Sequence, residues 1–401
     1  MLYPNSNSGV FFQVLLLSSL ITSLFCFPFA TVVFFPFFVL PFIFAYEEEK
    51  SRYWIYTYGL FSCFIFSLIS MGVENQADIL NYQNMIVGVG DGSLSLSDFR
   101  GEFIFYILLL IVNWIGYNDL SICYFLLLFL INLIWFTFLY KTDYKTCLLL
   151  FSIMQLFSLI IVNPFLLRQS LSIAILLFGC RYLGWKRFFL FFVSCFIHLS
   201  SLLLVVPLYT LSKIRTYFWF RMVLVSAAFL GFFLLSKTSV NILSDFFKGI
   251  SSLDFIFIKL SFFYTSVEET PFQTYAFVIG LFSLLALFFW KEYKSLDSDV
   301  TFVFFISCIL CLMTLNIPIM YNRVGFLFYY CVPLLVYLLM SSRIFGLKFS
   351  FQHIVMFIPM SSVVYYTLIR FIEISSGESW LAVFDGNVLS LSFFELVRVL
   401  V

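Results

Sequence analysis

Six residues of this chain have the types that hold an anion or move a proton: Arg168, Gln169, His198, Arg323, Glu102 and Asp78. Arg168 and Gln169 open one apolar run, and His198, with Ser200 and Ser201 behind it, lies in the next. Between the two runs Arg181, Lys186 and Arg187 form a basic turn. Arg323 follows Pro318 at the head of a later apolar run, and Asp78 and Glu102 flank a polar stretch at 73–101. Guanidinium groups grip phosphate oxygens bidentately. An imidazole or a carboxylate within hydrogen-bond reach takes a proton from a hydroxyl. The set suits a reaction in which a diphosphate departs and a hydroxyl attacks.

The elements must bring these groups to one level. Residues 163–207 read as two antiparallel apolar helices joined by the basic turn. At about 1.5 Å per residue, Arg168 lies roughly 25 Å and His198 roughly 20 Å from the middle of that turn. A cation and an imidazole at one depth in lipid are costly, and the default reading is a site. Each residue also has a plainer reading. Arg168 could snorkel at a helix end, His198 could be a hydrogen-bonded core histidine, and Asp78 and Glu102 could be solvated loop carboxylates. Arg100 is a possible ion partner for Glu102. Arg323 opposes the dipole of the helix it begins, and an anion bound there removes the conflict. His353 carries no comparable context, and Lys213, Arg215, Arg221 and the basic-turn cations read as topology anchors.

Composition fixes the setting. The chain is 63% hydrophobic and 11% charged, with mean hydropathy +1.06. Soluble domains average about 25% charged residues, so a water-facing surface cannot be built over this chain. Several uncharged runs exceed the ~18 residues of a spanning helix. They are continuous rather than alternating, which excludes a barrel. The expected fold is an all-α, polytopic membrane helix bundle of 11–13 spanning helices. It is expected to form a single integral membrane domain over 1–401, with two outer-face loops, about 73–101 and 237–271, carrying short interfacial helices. A net charge of +1 gives no reason to expect a nucleic-acid partner. The nine cysteines lie mostly in apolar runs and read as small buried hydrophobes. Cys308 and Cys311 form a CxxC with no second ligand pair, so no metal is expected there. The first apolar segment has no basic flank and reads as a retained helix.

Spanning helices are expected at about 10–27, 29–45, 54–72, 119–140, 146–162, 166–182, 188–206, 222–236, 272–290, 299–317, 324–340 and 349–370. The 103–116 segment is short enough to be re-entrant or tilted. Gly88, Gly90 and Gly92 read as part of a flexible loop rather than a phosphate cradle. The short basic loops at 141–145, 181–187, 291–294 and 343–348 should face the cytoplasm. Arg168, Arg323, His198 and both longer loops then fall on the outer side. The crossings balance only if 103–116 is re-entrant and 240–264 hides a crossing, or if one loop faces the other way.

An Arg-Gln opening one membrane helix, a basic turn, and Phe196-Ile197-His198-Leu199-Ser200 in the next resemble the EpsG-type family of polysaccharide polymerases. That family is similar to the Wzy O-antigen polymerases. Asp78-Ile-Leu-Asn-Tyr82 resembles the family's Asp-Tyr-x-x-Tyr segment, and Glu102-Phe103 its helix-opening Glu. Tyr321-Asn-Arg323-Val-Gly325 resembles a later Arg among aromatic neighbours, and Arg168 and Gly179 have ten residues between them, as in some Wzy proteins. The resemblance covers roughly residues 50–340. It implies transfer of an undecaprenyl-diphosphate-linked glycan onto a new lipid-linked repeat unit, at the periplasmic face of a bacterial inner membrane. Arg168, Arg323 and Gln169 would bind the diphosphate. His198 would be the base or a further diphosphate contact, with Glu102 or Asp78 as the alternative base. No Asp-x-Asp metal motif is read in the chain, so the transfer is expected to need no metal and no cofactor. A chain-length-regulating co-polymerase is the expected partner. An O-antigen ligase would share the donor chemistry. A lipid-linked oligosaccharide flippase is the alternative of a different class, and a non-enzymatic membrane subunit is the plainest one.

Overall fold

A computed structural model of the chain describes residues 21–23, 25–33, 35–36, 48–73, 77–99, 101–144, 146–155, 160–211, 218–234, 298–314 and 392–398. The helices expected at 272–290, 324–340 and 349–370, and the loop 237–271, lie outside the described residues. Every described element is helical. The chain divides into two compact units: residues 1–174 with 371–401, and residues 175–370.

The first unit is built on two long helices, α1 (Glu48–Met71) and, further along the chain, Leu120–Thr142. At about 1.5 Å per residue a helix of this length matches the ~30 Å hydrocarbon core of a bilayer. Between them come α2 (Ala77–Gly90), a short 3-10 turn (Leu96–Phe99) and α3 (Phe103–Ile115). The second long helix is α4, and α5 (Cys147–Met154), α6 (Ile160–Phe165) and the head of α7 (Leu167–Gly179) follow it. Asp119 caps α4 by accepting the Ile122 N–H at 3.0 Å. α1 packs along α4, and α2 and α3 pack together and against α4. Gly59 makes the α1–α4 approach possible, because a Cβ there would fall inside the Phe136 ring, 1.9 Å from its nearest carbon. Phe66, Phe136 and Phe151 pack edge-on in the core, each pair of rings that involves Phe151 being 5.7 Å apart. The C-terminal helix Phe393–Arg398 packs against α1. Its Ser392 N–H donates to Glu395 at 2.7 Å, the backbone half of a capping box.

Much of the stretch 73–101 is helical, as α2. Ile79, Tyr82, Ile86 and Val89 are buried, while Leu80 and Val87 are exposed. This is the 3.6-residue stripe of a half-buried helix. The flexible glycine loop is not found: Gly88 and Gly90 belong to α2. A Cβ on Gly90 would meet Asn113 Oδ1 at 2.9 Å, so its bare backbone admits α3. Gly92 takes a left-handed φ of 78° just past the helix, where glycine has no steric penalty. The expected helix 146–162 is described as α5 and α6, with residues 156–159 outside the described set. Helical structure runs to Phe165, past Pro164, and α7 starts afresh at Leu167.

The second unit holds the rest of α7, then α8 (Trp185–Ile197), α9 (Leu202–Thr210), α10 (Phe218–Leu234) and α11 (Ser298–Thr314). α10 and α9 both pack on α11. The continuous helix expected at 188–206 is broken. His198 is extended (φ −151°, ψ 115°), and Leu199–Ser201 form a 3-10 turn before α9. His and Ser are weak helix formers, and a run of them yields readily to a local turn.

Among the described residues, Arg52–Met71 and Leu120–Thr142 are long and apolar enough to cross a membrane. Phe103–Ile115, Leu167–Gly179, Leu199–Thr210 and Trp219–Phe232 are apolar and shorter. With the composition of the whole chain, these helices make it a membrane protein.

Candidate functional site

Three stretches converge on Arg168. α2 brings Tyr82, buried in its inner stripe. The turn after the Leu96–Phe99 helix brings Glu102. Gly101 makes that turn with φ 94°, a conformation that favours glycine. Glu102 stands at the N-cap of α3, and its side chain makes no capping bond. It forms an ion pair with Arg168 Nη1 instead. The Arg168 guanidinium carbon also lies 5.6 Å from the centre of the Tyr82 ring and 5.8 Å from that of Phe105. The Glu102 side chain is 9% exposed and the Arg168 side chain 27%. Arg168 Nε is buried and makes no hydrogen bond among the described residues.

The position of Arg168 explains its need for an anion. It is the second residue of α7, where a cation meets the positive end of the helix dipole. Burial removes the water that would relieve this. The Glu102 carboxylate supplies the missing charge. The dipole argument made from sequence for Arg323 thus applies to Arg168. Gln169 follows it, buried.

Behind Arg168 runs a buried polar chain that the sequence reading missed. Ser170 donates to Asn163 Oδ1, and Asn163 Nδ2 donates to Asn132 Oδ1 at 3.1 Å. Gln155 Nε2 donates to the same oxygen at 2.8 Å. Asn132 Nδ2 donates to Ser67 Oγ at 2.9 Å. The signal was present, as five amide or hydroxyl residues in or beside apolar runs, but no spacing rule ties α1, α4, α6 and α7 together. A second link fixes α2 to α3: Asn113 Nδ2 donates to the carbonyls of Ile86 and Leu109, both at 3.0 Å.

Asp78 lies in the first turn of α2, four residues before Tyr82. The other loop acids close local turns. Asp91 accepts the Ser93 N–H at 2.9 Å, and Asp98 accepts the Ser95 N–H at 2.8 Å. These donors hold both exposed carboxyls below the usual aspartate range. Arg323, Arg100 and His353 lie outside the described residues, and the side chains of Cys308 and Cys311 do as well.

His198 belongs to the second unit and is half-buried at the break between α8 and the 3-10 turn. Its N–H donates to Ser194 O and its carbonyl accepts from Ser201 N, both at 3.1 Å. Gly179 lets α7 and α8 close on each other, since a Cβ there would touch the Phe191 ring at 3.0 Å. In the same unit Arg187 is no free surface anchor. It pairs with Asp299 in the first turn of α11, beside the Phe191 ring at 5.0 Å and the Tyr209 ring at 5.8 Å. Asp297-Ser298-Asp299 does have Asp-x-Asp spacing, which the sequence reading overlooked. Its Asp299 is engaged by Arg187, at the basic-turn end of α8.

No curated protein matches the chain, and no solved structure does. One family model matches residues 60–382, a stretch that includes Asp78, Tyr82, Glu102, Arg168, Gln169, His198 and Arg323. The chain belongs to the EpsG family.

Proposed function

We propose that this protein is a polysaccharide polymerase of the O-antigen type, moving an undecaprenyl-diphosphate-linked glycan onto a new lipid-linked repeat unit. The observation that carries the reading is Arg168: a part-buried guanidinium at a helix start, walled by Tyr82 and Phe105, with one N–H unengaged. Such a group is suited to a departing diphosphate, because its fork matches two phosphate oxygens. In the reaction the bond between the anomeric carbon and the diphosphate oxygen breaks, and its electron pair leaves with the diphosphate. The acceptor hydroxyl oxygen bonds to the anomeric carbon, and its proton passes to a base. Arg168, Gln169 and Arg323 hold the diphosphate. The base is His198, Glu102 or Asp78.

Guanidinium groups neutralise the charge that develops on the leaving group, so the transfer runs without a metal or cofactor. The chain is polytopic in a bacterial inner membrane, with the site at the periplasmic face. The acidic, turn-rich stretch around Asp91 and Asp98 suits that water-facing side, and the basic turn at 181–187 suits the cytoplasm. A chain-length-regulating co-polymerase is its partner.

A flippase is the competing reading, and the helix break at His198 is the feature that favours it. The glycan ladder of a strain lacking the chain separates the two. With a polymerase missing, finished lipid carries single repeat units only. With a flippase missing, single units remain on undecaprenyl diphosphate at the inner face. An O-antigen ligase gives a third pattern, in which polymer builds up on undecaprenyl diphosphate and none reaches the final lipid. A null strain that keeps its ladder refutes all three.

A further inference from the structure

Arg168 is held from two helices and open on one side. From the start of α3, Glu102 takes Nη1. From α2, the Tyr82 hydroxyl oxygen takes a hydrogen bond from the same guanidinium. The guanidinium carbon stands 5.6 Å from the centre of the Tyr82 ring. Both holders are anchored through their own backbone. One turn past Tyr82, the Ile86 carbonyl accepts from Asn113 Nδ2 at 3.0 Å. The Glu102 carbonyl accepts from Phe105 N at 3.1 Å and Tyr106 N at 3.3 Å. The three groups differ in exposure. The Arg168 side chain is 27% exposed and that of Glu102 9%, while Tyr82 is 8% exposed. A ligand can therefore reach the guanidinium while the phenol stays out of its reach. The two holders also do different things. Glu102 supplies the charge that a buried cation at a helix start needs. Tyr82 is neutral, so it can orient the cation without cancelling any of that charge.

We propose that Tyr82 is a positioning residue for Arg168: it fixes the plane of the guanidinium, so that the exposed part of the fork meets the donor diphosphate already oriented. This rests on the polymerase reading and adds to it a residue that touches no substrate. An arginine side chain has many rotamers to lose on binding, and a fork oriented in advance loses few of them. Tyr82 supplies that order with two contacts that reinforce each other. The ring face limits the tilt of the guanidinium, and the hydroxyl limits its rotation within the plane. Tyr82 and Glu102 both stay in place when the diphosphate binds, and no bond to either is made or broken during transfer through this role. The plainer role for Tyr82 is packing, since it shares the buried stripe of α2 with Ile79, Ile86 and Val89. A phenylalanine would fill that role equally well, and this makes the hydroxyl the decisive atom.

The experiment uses the full chain in lipid nanodiscs, with undecaprenyl diphosphate as the probe. Binding is measured for wild type, Tyr82→Phe, Arg168→Lys and the double variant. Tyr82→Phe keeps the ring and loses the hydroxyl. It should weaken diphosphate binding roughly three- to tenfold, the scale of one hydrogen bond. In the Arg168→Lys background there is no guanidinium plane to fix, and the same change should cost less than about twofold. A loss by the same factor in both backgrounds overturns the positioning role and leaves the polymerase reading standing. Wild-type affinity in a folded Tyr82→Phe does the same. A ring-fluorinated tyrosine at position 82 gives a second readout, and it stands even if Tyr82→Phe fails to fold. It keeps the ring and the hydroxyl but ionises at lower pH than tyrosine. Its phenolate would cancel the charge of Arg168, so diphosphate binding should fall as pH rises through that ionisation. Wild type shares every other titratable group, Glu102 included, and should hold steady over the same range. Superimposed pH profiles overturn this inference alone. Absence of diphosphate binding by wild type overturns the polymerase reading together with it.

Discussion

At the residue scale the site turns on what Arg168 can do that another cation cannot. Its side chain reaches one carboxylate and lies against two aromatic faces. A lysine would keep the charge but lose the planar fork and most of the stacking. Arg168→Lys should therefore lower transfer about 100-fold or more, close to Arg168→Ala, at unchanged membrane levels. Glycan ladders from complemented null strains, with the protein quantified by immunoblot, check this. A lysine variant that restores the full ladder would reduce Arg168 to a point charge. Arg187 shows how little residue type alone decides. It too pairs with a carboxylate at a helix start and lies near two rings, yet it belongs to the basic turn, which the sequence assigns to the cytoplasmic side.

At the scale of elements, the buried amide chain holds α7, and so Arg168, in place. Asn132 is its hub: it donates to Ser67 and accepts from both Gln155 and Asn163. Leucine at this position would leave those donors without this partner at a fully buried site. Each buried polar group left unsatisfied costs about 1–3 kcal/mol. Asn132→Leu should lower the thermal midpoint in detergent by several degrees, roughly the effect of a few kcal/mol on a chain of this size. It should also weaken donor binding, because α7 is released. Asn163→Ser should weaken donor binding too, since Asn163 alone passes the chain on to Ser170 of α7. Fluorescence-detected size exclusion after heating measures the midpoint of both variants. If Asn132→Leu is as stable as wild type, the amide chain does not anchor α7.

At the scale of the molecule, sidedness is the first test of the whole arrangement. Cysteine placed at Ser93, in the turn closed by Asp91, should react with a membrane-impermeant maleimide in intact spheroplasts. Cysteine placed at Lys186 should react only after permeabilisation. The reverse pattern would put the site on the cytoplasmic side and end the polymerase assignment, which needs donor and acceptor at the outer face. What the sequence determined alone was set by composition and by nearest neighbours along the chain. Charged residues are too few to cover a water-facing surface, so a helical membrane protein follows. The Arg-Gln, His-x-Ser and Glu-Phe pieces lie in short continuous stretches, and they carried the family resemblance. A 3.6-residue stripe marks α2 in the same way, and it was legible although read as loop. Only the tertiary structure joined residues far apart in the chain. Glu102 and Arg168 are 66 positions apart, and Ser67 and Asn132 are 65. The first depends on how the start of α3 meets α7 and the second on how α1 packs on α4, and the uniform apolarity of α1 and α4 gives no register from which to foresee it. The break at His198 is local by contrast: His and Ser hold a helix weakly, and a 3-10 turn took their place.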